Sequence, residues 1–350
     1  MGATTKIEWL GRNGSTWNPW YGCSKVSPGC DNCYAERWAK RAGKPWGKPS
    51  IASQRTFESP LRWKEPRRIF PCSLSDVFHP DLPPTWRDRA WEIIAQARQH
   101  RYLILTKRPE NIAGMLPHDW AQNFGHVWLG VTAENQEQAE RRIPLLLSVP
   151  AAGYFVSLEP LLGSLNLRSI RTGPDRPMEA HSETTWHPCG DALRKPLPLK
   201  AGETRLVGPR WTGIDWVIVG GETGPGARPM DPDWARDIRD QCQQAGVPFF
   251  FKSWGEYLDA DAVQTMAEFA GDPWFCDRRF YKPRSYGRDA PERVRFFDSK
   301  GNLVADARDG CSDSDRLMML RVGRKRAGRL LDGREWNEIP KGLEIDHGRD

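Results

Sequence analysis

Six short apolar runs punctuate the chain, and each passes directly into polar or charged residues: RIFPCSLSDVFH (68–79), RYLILTKRPE (101–110), HVWLGVTAEN (126–135), GYFVSLEPLLG (153–163), DWVIVGGETG (215–224) and VPFFFKSWGE (247–256). Runs that are continuously apolar, rather than alternating, fit strands buried on both faces, as in a parallel sheet. Helical periodicity fills the intervals. Over 85–99, Trp86, Ala90, Ile93, Ile94 and Ala97 share one face, with Thr85 placed to cap. Over 136–148, Ala139, Ile143, Leu146 and Leu147 do the same, and Pro144 is expected to bend or interrupt that helix. Over 232–245, Asp231 caps, Pro232 takes the first position, Trp234, Ile238 and Ala245 form a stripe, and Gly246 terminates.

Strand and helix alternating at roughly 25–35 residues is the βα repeat of a parallel barrel or open sheet, an α/β fold. In such folds the polar strand ends converge at one mouth. The residues expected there are Ser75, Asp76, Thr106, Lys107, Arg108, Thr132, Glu134, Ser157, Glu159, Glu222, Lys252 and Trp254. Residues 170–212, rich in Pro, Gly, Arg and Thr and without sustained periodicity, are expected to be an inserted surface loop. The division expected is therefore 1–257, barrel with insertion, and 258–350, a C-terminal extension packed on the barrel. Within that extension Arg324, Lys325, Arg326 and Arg329 fit either phosphate contacts or a solvated basic face.

A net charge of +6 is compatible with nucleic acid or phosphorylated partners without demanding them. Seventeen tryptophans spread along the whole chain suit core and helix–barrel packing better than a base-stacking platform. No apolar run is long enough to span a bilayer and no signal peptide is present, so a cytoplasmic location and no membrane partner are expected. In a reducing compartment, eight cysteines argue against a disulfide framework and for metal or redox use of any tight cluster.

One such cluster exists: Cys23, Cys30 and Cys33 in WNPWYGCSKVSPGCDNCYAERWAKR (17–41). Pro28 and Gly29 let the loop curl, and a helix follows that Asp31 is expected to cap, with Cys33 in its first turn, where a thiolate gains from the free N–H groups. Three thiolates suit a [4Fe-4S] cluster whose fourth iron is open to a ligand. The alternative is zinc, with His79 or another distant residue as fourth ligand. His187 and Cys189, in HPCG, could also bind metal, although a lone pair in a loop is weak evidence. Cys72 is expected inside a strand and Cys242 on the buried stripe of its helix, with Cys276 and Cys311 isolated in the tail.

The blocks TKIEW, TWNPWYGCSKVSPGCDNCYAER, SLSDVFH, LTKRPE, VWLGVTAEN, RIPLLLSVPA, SLEPLLG, DWVIVGGETGPGARPMDPDWARDIRDQC, VPFFFKSWGE and RVGRKRAGRLLDGREWNEIP together resemble the bacteriophage and prophage three-cysteine protein family, whose function is unknown. That family is similar to radical S-adenosylmethionine enzymes of the spore photoproduct lyase-like branch. The resemblance implies a partial (β/α)6 TIM-like barrel with the cluster loop after its first strand. It further implies a cluster on Cys23, Cys30 and Cys33, and S-adenosylmethionine on the open iron, cleaved to a 5′-deoxyadenosyl radical. Cys30 and Cys33 match the second half of the Cys-x3-Cys-x2-Cys spacing, six residues separate Cys23 from Cys30, and Tyr34 takes the aromatic place beside the last cysteine. In this reading Lys107, Glu134, Glu159 and Lys252 are the candidate catalytic residues, and Asp76 and Glu222 hold the cofactor. The alternatives are a zinc-stabilised nucleic-acid-binding protein and a structural partner protein. A nucleic acid or nucleotide substrate and a dedicated partner protein both stay open.

Overall fold

A computed structural model describes residues 4–170, 191–193, 213–259, 294–297 and 317–345. Almost all of the expected insertion lies outside the described residues, as do His187, Cys189, Cys276 and Cys311.

The strands are β1 (Gly14–Trp17), β2 (Trp20–Tyr21), β3 (Ser50–Ile51), β4 (Arg68–Pro71), β5 (Arg101–Thr106), β6 (Val127–Thr132), β7 (Tyr154–Leu158), β8 (Trp216–Gly220) and β9 (Phe249–Ser253). Seven of them form one parallel sheet in the order β1-β4-β5-β6-β7-β8-β9, curled into a partial TIM-like barrel. All six expected strands are present. Ahead of them comes β1, whose four residues GSTW are too few for a periodic signal and which leads straight into the cysteine loop. β2 and β3 form a small antiparallel pair.

Pleating sorts the strand side chains onto two faces. Phe70, Leu103, Trp128, Phe155, Trp216, Ile218 and Phe250 line the concave side, filled by Trp9 and Leu10 from the N-terminal segment and by Leu343 from the C-terminal one. Ile69, Tyr102, Ile104, Leu129, Val131, Val156, Val217, Val219 and Phe251 face outward into the larger core. Both faces are buried, which is why the runs are continuously apolar.

The helices are α1 (Tyr34–Arg41), α2 (Gln54–Phe57), α3 (Ser59–Arg62), α4 (Pro84–Gln96), α5 (Ile112–Met115), α6 (Trp120–Asn123), α7 (Gln136–Leu147) and α8 (Pro232–Ala245). α8 begins and ends as expected. Asp231 accepts from the Asp233 N–H at 2.9 Å, Pro232 opens the helix, and Gly246 stops it at φ 62°. α7 contains Pro144 without ending there, started by the Asn135 side chain accepting from Gln138 N–H at 3.0 Å. Two caps differ from expectation. Pro84, not Thr85, starts α4, and no side chain caps it. α1 starts only at Tyr34 with Cys33 at the N-cap, because Asp31 is drawn away to Arg228 at 3.3 Å.

The described parts of the tail form a second, smaller sheet and a segment that runs beside β9. β10 (Tyr257–Asp259), β11 (Val294–Phe297) and β12 (Leu317–Arg321) make an antiparallel sheet ordered β10-β12-β11, followed by α9 (Arg324–Ala327). Residues 336–338 then run beside β9. Phe251 N–H donates to the Trp336 carbonyl at 2.9 Å and Glu338 N–H to the Phe249 carbonyl at 3.2 Å. This covers an edge that would otherwise present unpaired backbone groups. Among the described residues no helix is long and apolar enough to cross a membrane.

Candidate functional site

The C-terminal strand ends surround a cavity of about 460 Å³. Cys23, Cys30 and Cys33 form part of its wall, as do Lys107, Glu159 and Lys252. The cysteine loop gets there because β1 ends at Trp17 on the same side of the sheet, and Asn18 staples the exit. Its Oδ1 accepts from Leu74 N–H at 2.9 Å and its Nδ2 donates to Ser73 Oγ at 3.1 Å, joining the exits of β1 and β4.

Three guanidinium-centred clusters hold the loop. At Cys23, Arg108 is buried and donates to Cys23 Sγ at 3.4 Å, to the Ser24 carbonyl at 2.7 Å, to Ser24 Oγ at 2.8 Å and to Asp76 at 3.2 Å. Asp76 further accepts from Thr106 Oγ1 at 2.8 Å, Phe78 N–H at 2.9 Å and Lys107 N–H at 3.2 Å. Its carboxylate is thus spent on orienting Arg108 and the β5 exit, although one side of it borders the cavity. Burial, with Asp76 adding to it and Arg108 opposing, pushes the Cys23 thiol up to about 11. At Gly29 the carboxylate of Glu134 accepts the backbone N–H at 3.0 Å and pairs with Arg142 at 2.9 Å. Burial pushes that carboxyl up, but Arg142, then the Ser27 hydroxyl and the Gly29 N–H, outweigh it and leave Glu134 below the ordinary carboxylate value. Around Asp31 and Asn32 the loop after β8 closes over the outside. Arg228 bonds both oxygens of Glu222, at 2.7 and 2.9 Å, together with Asp31 and, at 2.8 Å, the Pro28 carbonyl. Asn32 Nδ2 donates to Glu222 at 3.0 Å, and Arg37 bridges the Asn32 and Thr223 carbonyls at 2.6 and 2.9 Å.

The strand-end carboxylates therefore differ in what they can do. Glu159 faces the cavity, paired with Lys252 at 2.7 Å and accepting from Ser157 Oγ at 3.2 Å. Lys107 also faces it, and among the described residues its ammonium has no carboxylate within ion-pairing distance. Glu222 borders the cavity with both oxygens engaged, and Glu134 is wholly buried beneath the loop. Trp254, expected at the mouth, instead packs on Phe251 and donates to the Leu330 carbonyl at 2.8 Å. Arg324 lines the mouth, half-exposed, and pairs with Glu8 at 2.8 Å. Sequence reasoning missed Arg142, Arg228, Asn32 and Arg37. Their only signal is local: an arginine within a helical face, or following a Gly-rich strand end.

The donor set at this wall fits an iron–sulfur cluster bound through three sulfurs. Three half-buried free thiols border one cavity. His79 does not complete a zinc set in this arrangement. Its Nδ1 accepts from Asp81 N–H at 3.1 Å, which leaves Nε2 to donate to Ser24 Oγ at 2.9 Å, and burial together with Arg108 keeps the ring neutral. Among the described residues no three Cys, His, Asp or Glu side chains converge on one point as metal ligands do, so the thiols share a wall without forming a closed cage.

No curated protein matches the chain. Among solved structures, a spore photoproduct lyase variant with bound AdoMet and dinucleoside spore photoproduct is similar over 78% of this chain, at 12% identity and a TM-score of 0.34. The chain spans 66% of that one. A family profile covers residues 4–340, nearly the whole sequence and every strand of the barrel, and the chain belongs to that family, described as "Protein of unknown function (DUF5131)".

Proposed function

We propose that this protein is an iron–sulfur enzyme of the radical S-adenosylmethionine type. The observation that carries the reading is that three thiols from one loop line the strand-end cavity together with Lys107 and the Glu159–Lys252 pair. When bound through Cys23, Cys30 and Cys33, a [4Fe-4S] cluster supplies an open iron for S-adenosylmethionine and one electron for cleaving it to methionine and a 5′-deoxyadenosyl radical.

The chain's own residues bind, orient and exclude water. Lys107 offers an ammonium that makes no ion pair among the described residues, suited to the carboxylate of a bound amino acid. Glu159 is held by Lys252 and the Ser157 hydroxyl, so it presents a fixed acceptor to ribose hydroxyls or to substrate. Arg108 keeps Cys23 turned to the cavity while Asp76 keeps Arg108 in place. Trp9 and Phe70 form the cavity floor, which shields the site from water below.

The test is anaerobic purification or reconstitution followed by absorption spectroscopy, iron and sulfide analysis, and assay of 5′-deoxyadenosine after reduction with S-adenosylmethionine present. A brown protein that forms 5′-deoxyadenosine, with both properties lost in Cys30→Ala, is the expected result. A colourless protein holding one zinc overturns the reading, as does a loaded cluster that never cleaves S-adenosylmethionine.

A further inference from the structure

Glu134 ends β6 in a position where the strand-end pattern predicts a cavity carboxylate, yet its side chain is turned away beneath the cysteine loop and wholly buried. Its two oxygens have separate partners. Oε1 accepts the Gly29 N–H at 3.0 Å, one residue before Cys30, and Oε2 accepts from Arg142 at 2.9 Å. Arg142 donates from the same nitrogen to the Thr132 carbonyl at 2.7 Å, and the Glu134 carbonyl accepts from Leu162 N–H at 2.7 Å. The carboxylate is therefore fixed to the sheet on one side and to the loop on the other. The fit is close, since a Cβ on Gly29 would lie 3.0 Å from the carboxylate carbon and would have to push the carboxylate aside by a few tenths of an ångström.

A buried ion pair is a poor way to gain stability, because desolvation consumes most of the attraction and an apolar pair serves as well. What an anionic acceptor adds is a direction for one N–H and a fixed charge behind the loop. We propose that Glu134 is a positioning residue for the cluster loop: through the Gly29 amide it sets where Cys30 stands, and its charge, balanced by Arg142, tunes the centre held there. This rests on the iron–sulfur reading above. Outer partners that orient metal ligands in this way change metal affinity by about 10- to 100-fold when removed.

The experiment uses the full chain, with circular dichroism to establish that each variant is folded. In the metal-free protein, amide hydrogen exchange is followed over residues 26–33 for wild type, Glu134→Ala, Glu134→Gln and Gly29→Ala. Loss of one hydrogen bond speeds exchange at Gly29 by about 5-fold in Glu134→Ala, and displacement of the carboxylate does the same in Gly29→Ala, while Glu134→Gln keeps an acceptor and stays near wild type. In reconstituted protein, Glu134→Ala and Gly29→Ala lose iron at least about 10-fold faster. Glu134→Gln retains its iron but shifts the midpoint potential positive, because the Arg142 cation is left uncompensated. Unchanged exchange in a folded Glu134→Ala overturns the anchoring role, and an unmoved potential in Glu134→Gln overturns the tuning role. Failure of wild type to take up iron sinks the iron–sulfur reading, while the metal-free exchange still decides the anchor.

Discussion

Removing Arg228 should open the outer side of the cysteine loop. The Arg228 side chain makes two bonds to Glu222, at 2.7 and 2.9 Å, one to Asp31 at 3.3 Å and one to the Pro28 carbonyl at 2.8 Å. Arg228→Ala leaves the Glu222 carboxylate buried with only Asn32 Nδ2 and the residue-228 amide as donors. Breaking a fully buried pair costs about 3–5 kcal/mol. The Arg228 side chain is 34% exposed, so water screens part of that, and about 2 kcal/mol is the expected cost. With an unfolding entropy of about 2.1 cal/mol/K per residue, a chain of 350 residues loses roughly 3 °C in Tm for that cost. Calorimetry reads the global term, and hydrogen exchange over residues 28–32 reads the local one. A double-mutant cycle with Glu222→Gln isolates the pair, with an expected coupling of about 1.5–3 kcal/mol. Coupling near zero, with unchanged exchange in 28–32, would refute the clasp.

Two further outcomes follow from the geometry. Glu159→Gln and Lys252→Met should each lower S-adenosylmethionine cleavage by about 100-fold while moving Tm little, because both groups are partly exposed at the cavity; an assay indistinguishable from wild type removes them from the site. His100 and His126 are buried and donate Nε2–H to the Pro60 and Ile94 carbonyls at 3.1 and 2.9 Å, and burial lowers both from the ordinary value of 6.5. Their stabilisation is complete above that value and is lost as pH falls below it, because the unfolded chain takes up the protons first. The slope is up to about 1.4 kcal/mol per pH unit for each ring. Thermal melts from pH 7.5 to 5.5 should therefore be flatter in the His100→Gln, His126→Gln double variant; equal slopes in the two proteins would contradict the assignment.

How much of this could be read beforehand depended on the range of the interaction involved. Asp231, Pro232 and Gly246 act on backbone groups a few residues away, so α8 was fully legible. β1 was not, because four residues beginning with glycine carry too little apolar pattern to stand out from a loop. Asp31 has the chemistry of a cap, but Arg228 competes for it successfully from almost two hundred positions downstream. Glu134, Glu159 and Glu222 look alike in sequence, each a glutamate just past an apolar run. They end up respectively beneath the loop, on the cavity wall and inside an arginine clasp.

By itself the sequence determined the parallel sheet, since strands buried on both faces must be apolar at every position. It also determined which strand ends meet, and the presence of three thiols on a short loop bounded by proline and glycine. Only the tertiary structure decided which polar residues serve the cavity and which hold the loop. Burying a carboxylate requires a cationic or N–H partner. Here the cations come from nearby in the chain, Arg142 eight residues from Glu134 and Arg228 six from Glu222, but what they help to hold, Gly29 through Glu134 and Pro28 through Arg228, lies more than a hundred residues away, beyond any local pattern.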